Sequence, residues 1–174
     1  MTQLLPLLLG DDYQHLAPTI KKAHTGSVKL CGKVLVSPGN FLARVVCRLL
    51  KLPHSSAPTD VTVLAHHLPD AIIWHRYFGE TKHKSHYFFK NQCFYHQLGG
   101  FRIVLNAEAK DGALYISSLK TTLYGVPLPK FLGASIRYKE KALNDNFVFG
   151  IEITIPFIGK LISYQGELRF HDFD

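Results

Sequence analysis

Trp74-His75-Arg76-Tyr77-Phe78-Gly79-Glu80-Thr81-Lys82-His83-Lys84-Ser85-His86-Tyr87-Phe88-Phe89 holds the chain's only tryptophan, three histidines and five further aromatic residues. Two runs of β-favouring residues meet at Gly79-Glu80, so the segment reads as two strands joined by a turn. Side chains alternate between the faces of a strand. Trp74, Arg76 and Phe78 therefore share one face, with His75 and Tyr77 on the other. Past the turn, Ser85, Tyr87 and Phe89 form one set and Lys84, His86 and Phe88 the second.

The same rhythm extends over most of the chain. Val61–Leu68, Ala71–Phe78, Lys82–Phe89, Cys93–Gln97, Phe101–Ala107, Ala113–Tyr124, Ala134–Leu143, Phe147–Ile155 and Leu161–His171 are strand-like. Turn residues separate them at Pro69-Asp70, Lys90-Asn91, Gly99-Gly100, Asp111-Gly112, Asn144-Asp145-Asn146 and Pro156 to Gly159. Runs spaced by about 8–12 residues fit a meandering antiparallel sheet that curls into a barrel or half-barrel. An earlier run, Ser27–Val36, reads as a further strand stopped by Ser37-Pro38-Gly39.

Between these runs, Asn40 caps an amphipathic helix over residues 40–51 that Pro53 ends. Phe41, Leu42, Val45, Val46, Leu49 and Leu50 oppose Arg44, Arg48 and Lys51. A basic amphipathic helix can lie on a membrane surface, and a core-facing helix gives the same spacing. The core-facing arrangement is the expectation adopted. Residues 2–24 read as two short helices: Thr2 caps the first, Gly10 ends it, and Asp11 or Asp12 caps a second that Pro18 kinks, with Leu16 and Ile20 on one face. The expected fold is one α+β domain over residues 1–174. A strongly curved, barrel-like antiparallel sheet is closed on one side by the short N-terminal helices and the 40–51 helix.

Composition agrees with a globular domain: 174 residues, 47% hydrophobic and 19% charged. The net charge of +7 favours acidic partners in general. The cations are scattered, however, and form no block of the roughly 5–8 residues that marks a nucleic-acid arm. Aromatic residues fall on both faces of both opening strands, which suits a core better than a base-stacking platform. No nucleic-acid partner is expected. Cys31, Cys47 and Cys93 are odd in number and form no C-x-x-C pair, so they read as free thiols in a reducing compartment. The apolar N-terminus lacks a basic flank and a small-residue cleavage site, and no run approaches the ~18 apolar residues of a span. A cytoplasmic protein without a membrane span is expected.

Nucleotide-binding glycine loops, H-E-x-x-H and G-x-S-x-G are all absent from the sequence. No cofactor is expected. His83 and His86, three apart, and the adjacent His66 and His67 point to opposite faces of their strands, so no metal site is expected either. Arg76 carries the chemical interest. If its face points inward, the guanidinium needs a partner, either a carboxylate or an anionic ligand. Glu152 is the preferred carboxylate and Glu167 the second. If the face points outward, Arg76 can lie over the Trp74 ring in a cation–π contact. The apolar company of Trp74 and Phe78 favours the inward arrangement.

These readings converge on a pocket for a small, mostly apolar or amphipathic ligand with an anionic or carbonyl group, held in the sheet's concavity. Arg76 anchors the polar group, Trp74 and Phe78 line the wall, and Ser85, Glu152 and Tyr164 orient the anchor or the ligand. Two other readings stand beside it. One is an enzyme with Glu152 as acid/base and Arg76 stabilising negative charge. The other is a structural or interaction domain with a packed interior.

A set of motifs adds a resemblance. Leu8-Leu9-Gly10, Leu16, His24, Gly32-Lys33-Val34-Leu35-Val36, Trp74-His75-Arg76-Tyr77-Phe78-Gly79, Ser85, Tyr124-Gly125-Val126-Pro127-Leu128-Pro129 and Ile155 to Gly166 occur in this order. Together they resemble the domain-of-unknown-function family 4166 over nearly the whole chain. That resemblance implies a bacterial domain, found alone or C-terminal to a saccharopine-dehydrogenase-like reductase, which handles a ligand beside a redox enzyme. The family carries no settled activity. This chain has no dinucleotide-binding motif, so a reductase partner would come from another polypeptide.

Overall fold

The computed structural model describes residues 4–49, 52, 57–79, 81–98 and 100–173. Thr2 as a helix cap, the helix end at 50–51, Pro53 as its stop, Glu80 and Gly99 lie outside the described residues. The elements in chain order are α1 (Leu4–Leu9), a 3₁₀ turn (Gly10–His15), α2 (Pro18–Ala23), β1 (Ser27–Pro38), α3 (Phe41–Leu49), β2 (Thr59–His67), β3 (Ala71–Phe78) and β4 (Thr81–Lys90). There follow β5 (Cys93–Leu98), β6 (Phe101–Lys110), β7 (Ala113–Leu123), β8 (Val126–Pro127), β9 (Ser135–Leu143), β10 (Asn146–Ile155) and β11 (Gly159–His171).

β1 pairs antiparallel with β2 on one side and with β11 on the other, which joins the start of the sheet to its end. The second half runs β11-β10-β9-β7 and the first half β2-β3-β4-β5-β6, and pairing of β6 with β7 closes the ring. The result is a closed antiparallel barrel of ten strands, with β8 a two-residue flap on β7. Closure leaves the ring no free edge. Two-residue turns make the hairpins tight: Asn91-Gln92, Asp111-Gly112 and Asn144-Asp145 all have positive φ at both positions, as type I′ turns require.

The seam between β1 and β11 is unusually close. A Cβ on Gly32 would sit 2.1 Å from the Glu167 carbonyl oxygen, and one on Gly166 would sit 2.6 Å from the Lys33 carbonyl oxygen. Both glycines fall on the inward-facing register, where Gly32 opposes Leu168 and Val34 opposes Gly166. The missing side chains let the two strands press together.

Each strand turns its apolar alternate residues inward, among them Val34 and Val36, Val61 and Val63, Phe147 and Phe149, and Ile162 and Leu168. The N-terminal elements plug the end at which β6 finishes and β7 begins. Ala17 N donates to Gly112 O at 3.0 Å, and Leu4, Leu5, Leu16 and Ile20 are buried there. Pro18 opens α2 instead of kinking a longer helix, because its fixed φ and missing N–H suit a first helical position.

At the other end, α3 packs on β11 and β1. Asn40 caps it: the Ala43 N–H donates to Asn40 Oδ1 at 2.9 Å, while Asn40 Nδ2 donates to Ile158 O at 2.9 Å. The expectation that the broad apolar stripe faces the core holds only in part: Val46 packs against the core, but the larger residues Phe41, Leu42 and Leu49 do not. Ala43 and Cys47 are the buried residues of α3, whereas Phe41 is 82% exposed and Leu49 77%. Small residues allow the closest approach of helix to sheet, so they take the inner side and leave the large ones outside.

Candidate functional site

Ala71–Phe78 alternates as the opening segment requires. Trp74, Arg76 and Phe78 are buried on the inner face, and Arg76 retains only 2% exposure. The inward arrangement holds, and it includes the contact expected of the outward one, since the Arg76 guanidinium carbon lies 4.9 Å from the Trp74 ring centroid. Arg76 Nη1 donates to Ser85 Oγ at 2.6 Å. Phe78 meets Tyr164 edge-to-face at 6.0 Å. Five of the six expected site residues, Trp74, Arg76, Phe78, Ser85 and Tyr164, thus lie together inside the barrel.

Glu152 does not join them. β10 sends Phe149, Ile151 and Ile153 inward, so period two places Glu152 on the outer face, where it opposes Arg137 on β9. Glu167 is also outside, accepting a hydrogen bond from Asn146 Nδ2 at 2.6 Å. The barrel wall separates both from Arg76, so Arg76 and Glu152 cannot act on one bound molecule. The apolar residues around Glu152 come from a strand flanked on both faces, and they gave no sign of which face is the core.

The ion pairs among the described residues are His15–Asp12 and His24–Glu140, and Arg76 belongs to neither. Burial alone would lower the guanidinium pKa, but the charge that Tyr164, Tyr87 and Tyr138 carry once ionised at high pH, with a hydrogen bond to Tyr87, outweighs it and raises the value. Burial in turn pushes the Tyr164 hydroxyl up to about 12 and the Tyr138 hydroxyl well above its usual range. These two phenols are therefore neutral at physiological pH. They offer dipoles to Arg76 but no compensating charge.

The histidines beside Arg76 are neutral as well. Burial, with the charge of Arg76, lowers His83 to about 4 and His96 to about 3. The chamber thus holds one fixed positive charge.

Toward the N-terminal plug a second polar group is buried. His24 Nε2 lies 2.6 Å from Glu140 Oε2, with both side chains enclosed. Glu140 Oε1, His24 Nδ1 and His96 Nε2 make no protein hydrogen bond. His67 packs edge-on to His24 at 5.3 Å and is lowered to about 3, first by burial and then by His24. Sequence reasoning missed this pair. Half of the signal was present: in Ser135–Leu143, Glu140 shares the alternation of Ile136 and Tyr138 while Arg137, Lys139 and Lys141 take the other face. His24 lies beyond the end of α2, where no period tells its direction.

The interior is more filled than an open concavity. One cavity of about 30 Å³ is bordered by Leu52, His83, Ser85, His96, Tyr138 and Tyr164. Another of about 20 Å³ lies between Arg76 and Glu140, beside Trp74 and Tyr87. Each has space for little more than a water molecule. Aromatic side chains occupy the volume that a larger pocket would need. Wider depressions, of about 610 and 590 Å³, lie on the outer face around Gly150, and Glu152 borders the first.

His83 faces in and His86 out, while His66 hydrogen-bonds Ser27 and His67 turns toward His24. Among the described residues no cluster of three or more His, Cys, Asp or Glu is placed to hold a metal ion.

No curated protein and no solved structure matches the chain. A family model described as "Domain of unknown function (DUF4166)" matches residues 16–168, nearly the whole length, from the buried Leu16 to the buried Leu168. This closed barrel with an arginine at its centre is thus a member of the DUF4166 family.

Proposed function

We propose that the barrel interior binds a small, mostly apolar ligand whose anionic or carbonyl group sits on Arg76. The observation that carries this reading is the buried guanidinium with no carboxylate in ion-pair contact among the described residues. An isolated buried charge costs several kcal/mol after relaxation, and an anionic headgroup would offset that cost. Ser85 and the phenols of Tyr138 and Tyr164 supply further hydrogen-bonding groups around the same point, and Trp74 and Phe78 supply an apolar wall. Leu52, 3% exposed, borders the first cavity. Its side chain stands where the apolar part of a ligand would lie, so binding displaces it.

Isothermal titration calorimetry with decanoate and with decan-1-ol tests the reading. Decanoate should bind and the alcohol should not. Arg76→Met should weaken decanoate at least about tenfold, the value of one charge-assisted hydrogen bond, while circular dichroism shows an intact fold. Leu52→Ala should strengthen it by opening the chamber. Equal binding of decanoate by the wild type and by Arg76→Met, or no binding by either, would overturn the proposal in favour of a packed structural domain.

A further inference from the structure

We propose that the end of the barrel carrying α3 docks on the surface of an anionic lipid bilayer. The inference is independent of the ligand reading. No helix among the described residues is long and apolar enough to cross a membrane, so the contact is peripheral.

The first support is the orientation of α3. Its buried side is Ala43 and Cys47, with Cys47 Sγ donating to Leu161 O at 3.6 Å. The outer side then carries Phe41 and Leu49, with Leu42 beside them at 52% exposure. A soluble surface helix normally hides such residues. Arg44 and Arg48 flank the stripe and are exposed. Arginines beside an outward apolar stripe match a helix lying in a membrane interface, with long cationic side chains reaching the headgroups.

The second support is what shares that end. Strands β1, β7 and β10 finish there, and β9 and β11 begin there, so their connections are neighbours around one rim. The turn between β10 and β11 presents Phe157, 85% exposed and held at φ 66. The connection from β7 to β9 presents Phe131 and Leu132, both exposed. Lys130 and Lys160 stand beside these tips and are exposed too. No acidic residue occurs in α3, in residues 155–160 or in residues 124–134. Apolar tips interleaved with cations and free of acids complement an anionic leaflet. A second copy of the chain would bring Arg44 and Arg48 against themselves, which disfavours a self-interface.

Co-sedimentation of the full chain with vesicles of phosphatidylcholine, with and without phosphatidylglycerol, tests the proposal. Association should require phosphatidylglycerol and weaken with salt. Arg44→Gln and Arg48→Gln should each lower the partition coefficient roughly fivefold, and the pair Phe41→Ser with Leu49→Ser should abolish detectable binding. These side chains are exposed, so the urea midpoint should not move. No association with phosphatidylglycerol vesicles, or association that survives the Phe41→Ser and Leu49→Ser pair, would overturn it. So would a dimer in analytical ultracentrifugation that the same pair dissolves, because a second copy would then cover α3.

Discussion

Arg76 on β3 and Ser85 on β4 are joined by a 2.6 Å hydrogen bond although they are not register partners. Arg76 lies opposite His83, and Ser85 lies opposite Trp74. The guanidinium therefore crosses the strand pair diagonally, over the Trp74 ring, toward the middle of the barrel. Arg76 borders the smaller cavity and Ser85 the larger, and burial together with the guanidinium charge keeps His83 neutral.

An unpaired buried charge has a stability signature. Replacing it with an apolar side chain of similar volume is often neutral or stabilising, by about 1–4 kcal/mol. Arg76→Met should therefore raise the urea midpoint or leave it unchanged. Ser85→Ala should lower stability by about 1–3 kcal/mol, because it takes an acceptor from the buried guanidinium. A loss of several kcal/mol in Arg76→Met would mean that the charge is structurally satisfied, and would remove the basis for an anionic ligand.

The buried pair His24–Glu140 behaves in the opposite way. It ties the end of α2 to β9, and removing one partner strands the other. His24→Ala should cost about 3–5 kcal/mol in chemical denaturation. The double variant His24→Leu with Glu140→Leu should recover most of that loss. If His24→Ala costs less than the exposed control His15→Ala, the pair makes no contribution to closing the barrel.

Much of the barrel was readable because period two and turn residues are local signals. Trp74, Arg76 and Phe78 could be assigned to one face from their spacing alone. Glu152 could not be placed, since Phe147 to Ile155 is apolar at almost every position and either alternate set could face the core. The α3 stripe misled for a related reason. Periodicity identifies an amphipathic helix but is silent on whether large or small residues meet the sheet. Ala43 and Cys47 decide that by fit, and fit depends on the partner surface of β11. The pairing of β1 with β11 and the meeting of His24 with Glu140 depend on strand order around the ring, which no local pattern encodes.

Stability should fall on acidification. His67, His83 and His96 have folded pKa values of about 3, 4 and 3 against 6.5 for an unperturbed group. Below 6.5 the unfolded chain takes up protons that the folded barrel refuses, so stability declines from there toward about 3. Each group adds a slope of up to about 1.4 kcal/mol per pH unit. Urea denaturation across this range should show the decline, and His96→Asn should make it shallower. Stability that stays flat from neutrality to pH 5 would mean that these histidines are hydrated or protonated in the native state.

Three strand glycines separate steric need from mere occurrence. At Gly32 and Gly166 a Cβ would meet backbone, at 2.1 Å from the Glu167 oxygen and 2.6 Å from the Lys33 oxygen, and backbone cannot rotate away. At Gly150, on the outer face, the nearest atom to an added Cβ is Gln165 Cβ at 4.0 Å, an ordinary contact. Gly32→Ala and Gly166→Ala should therefore each destabilise by about 1–3 kcal/mol or more, as overpacking does. Gly150→Ala should be neutral or stabilise by up to about 1 kcal/mol, since a strand-interior glycine carries an entropic cost. The comparison is made by urea midpoints of the three single variants. Equal midpoints for Gly32→Ala and Gly150→Ala would show that the β1–β11 seam has slack, and that close approach of these strands is not what lets the barrel close.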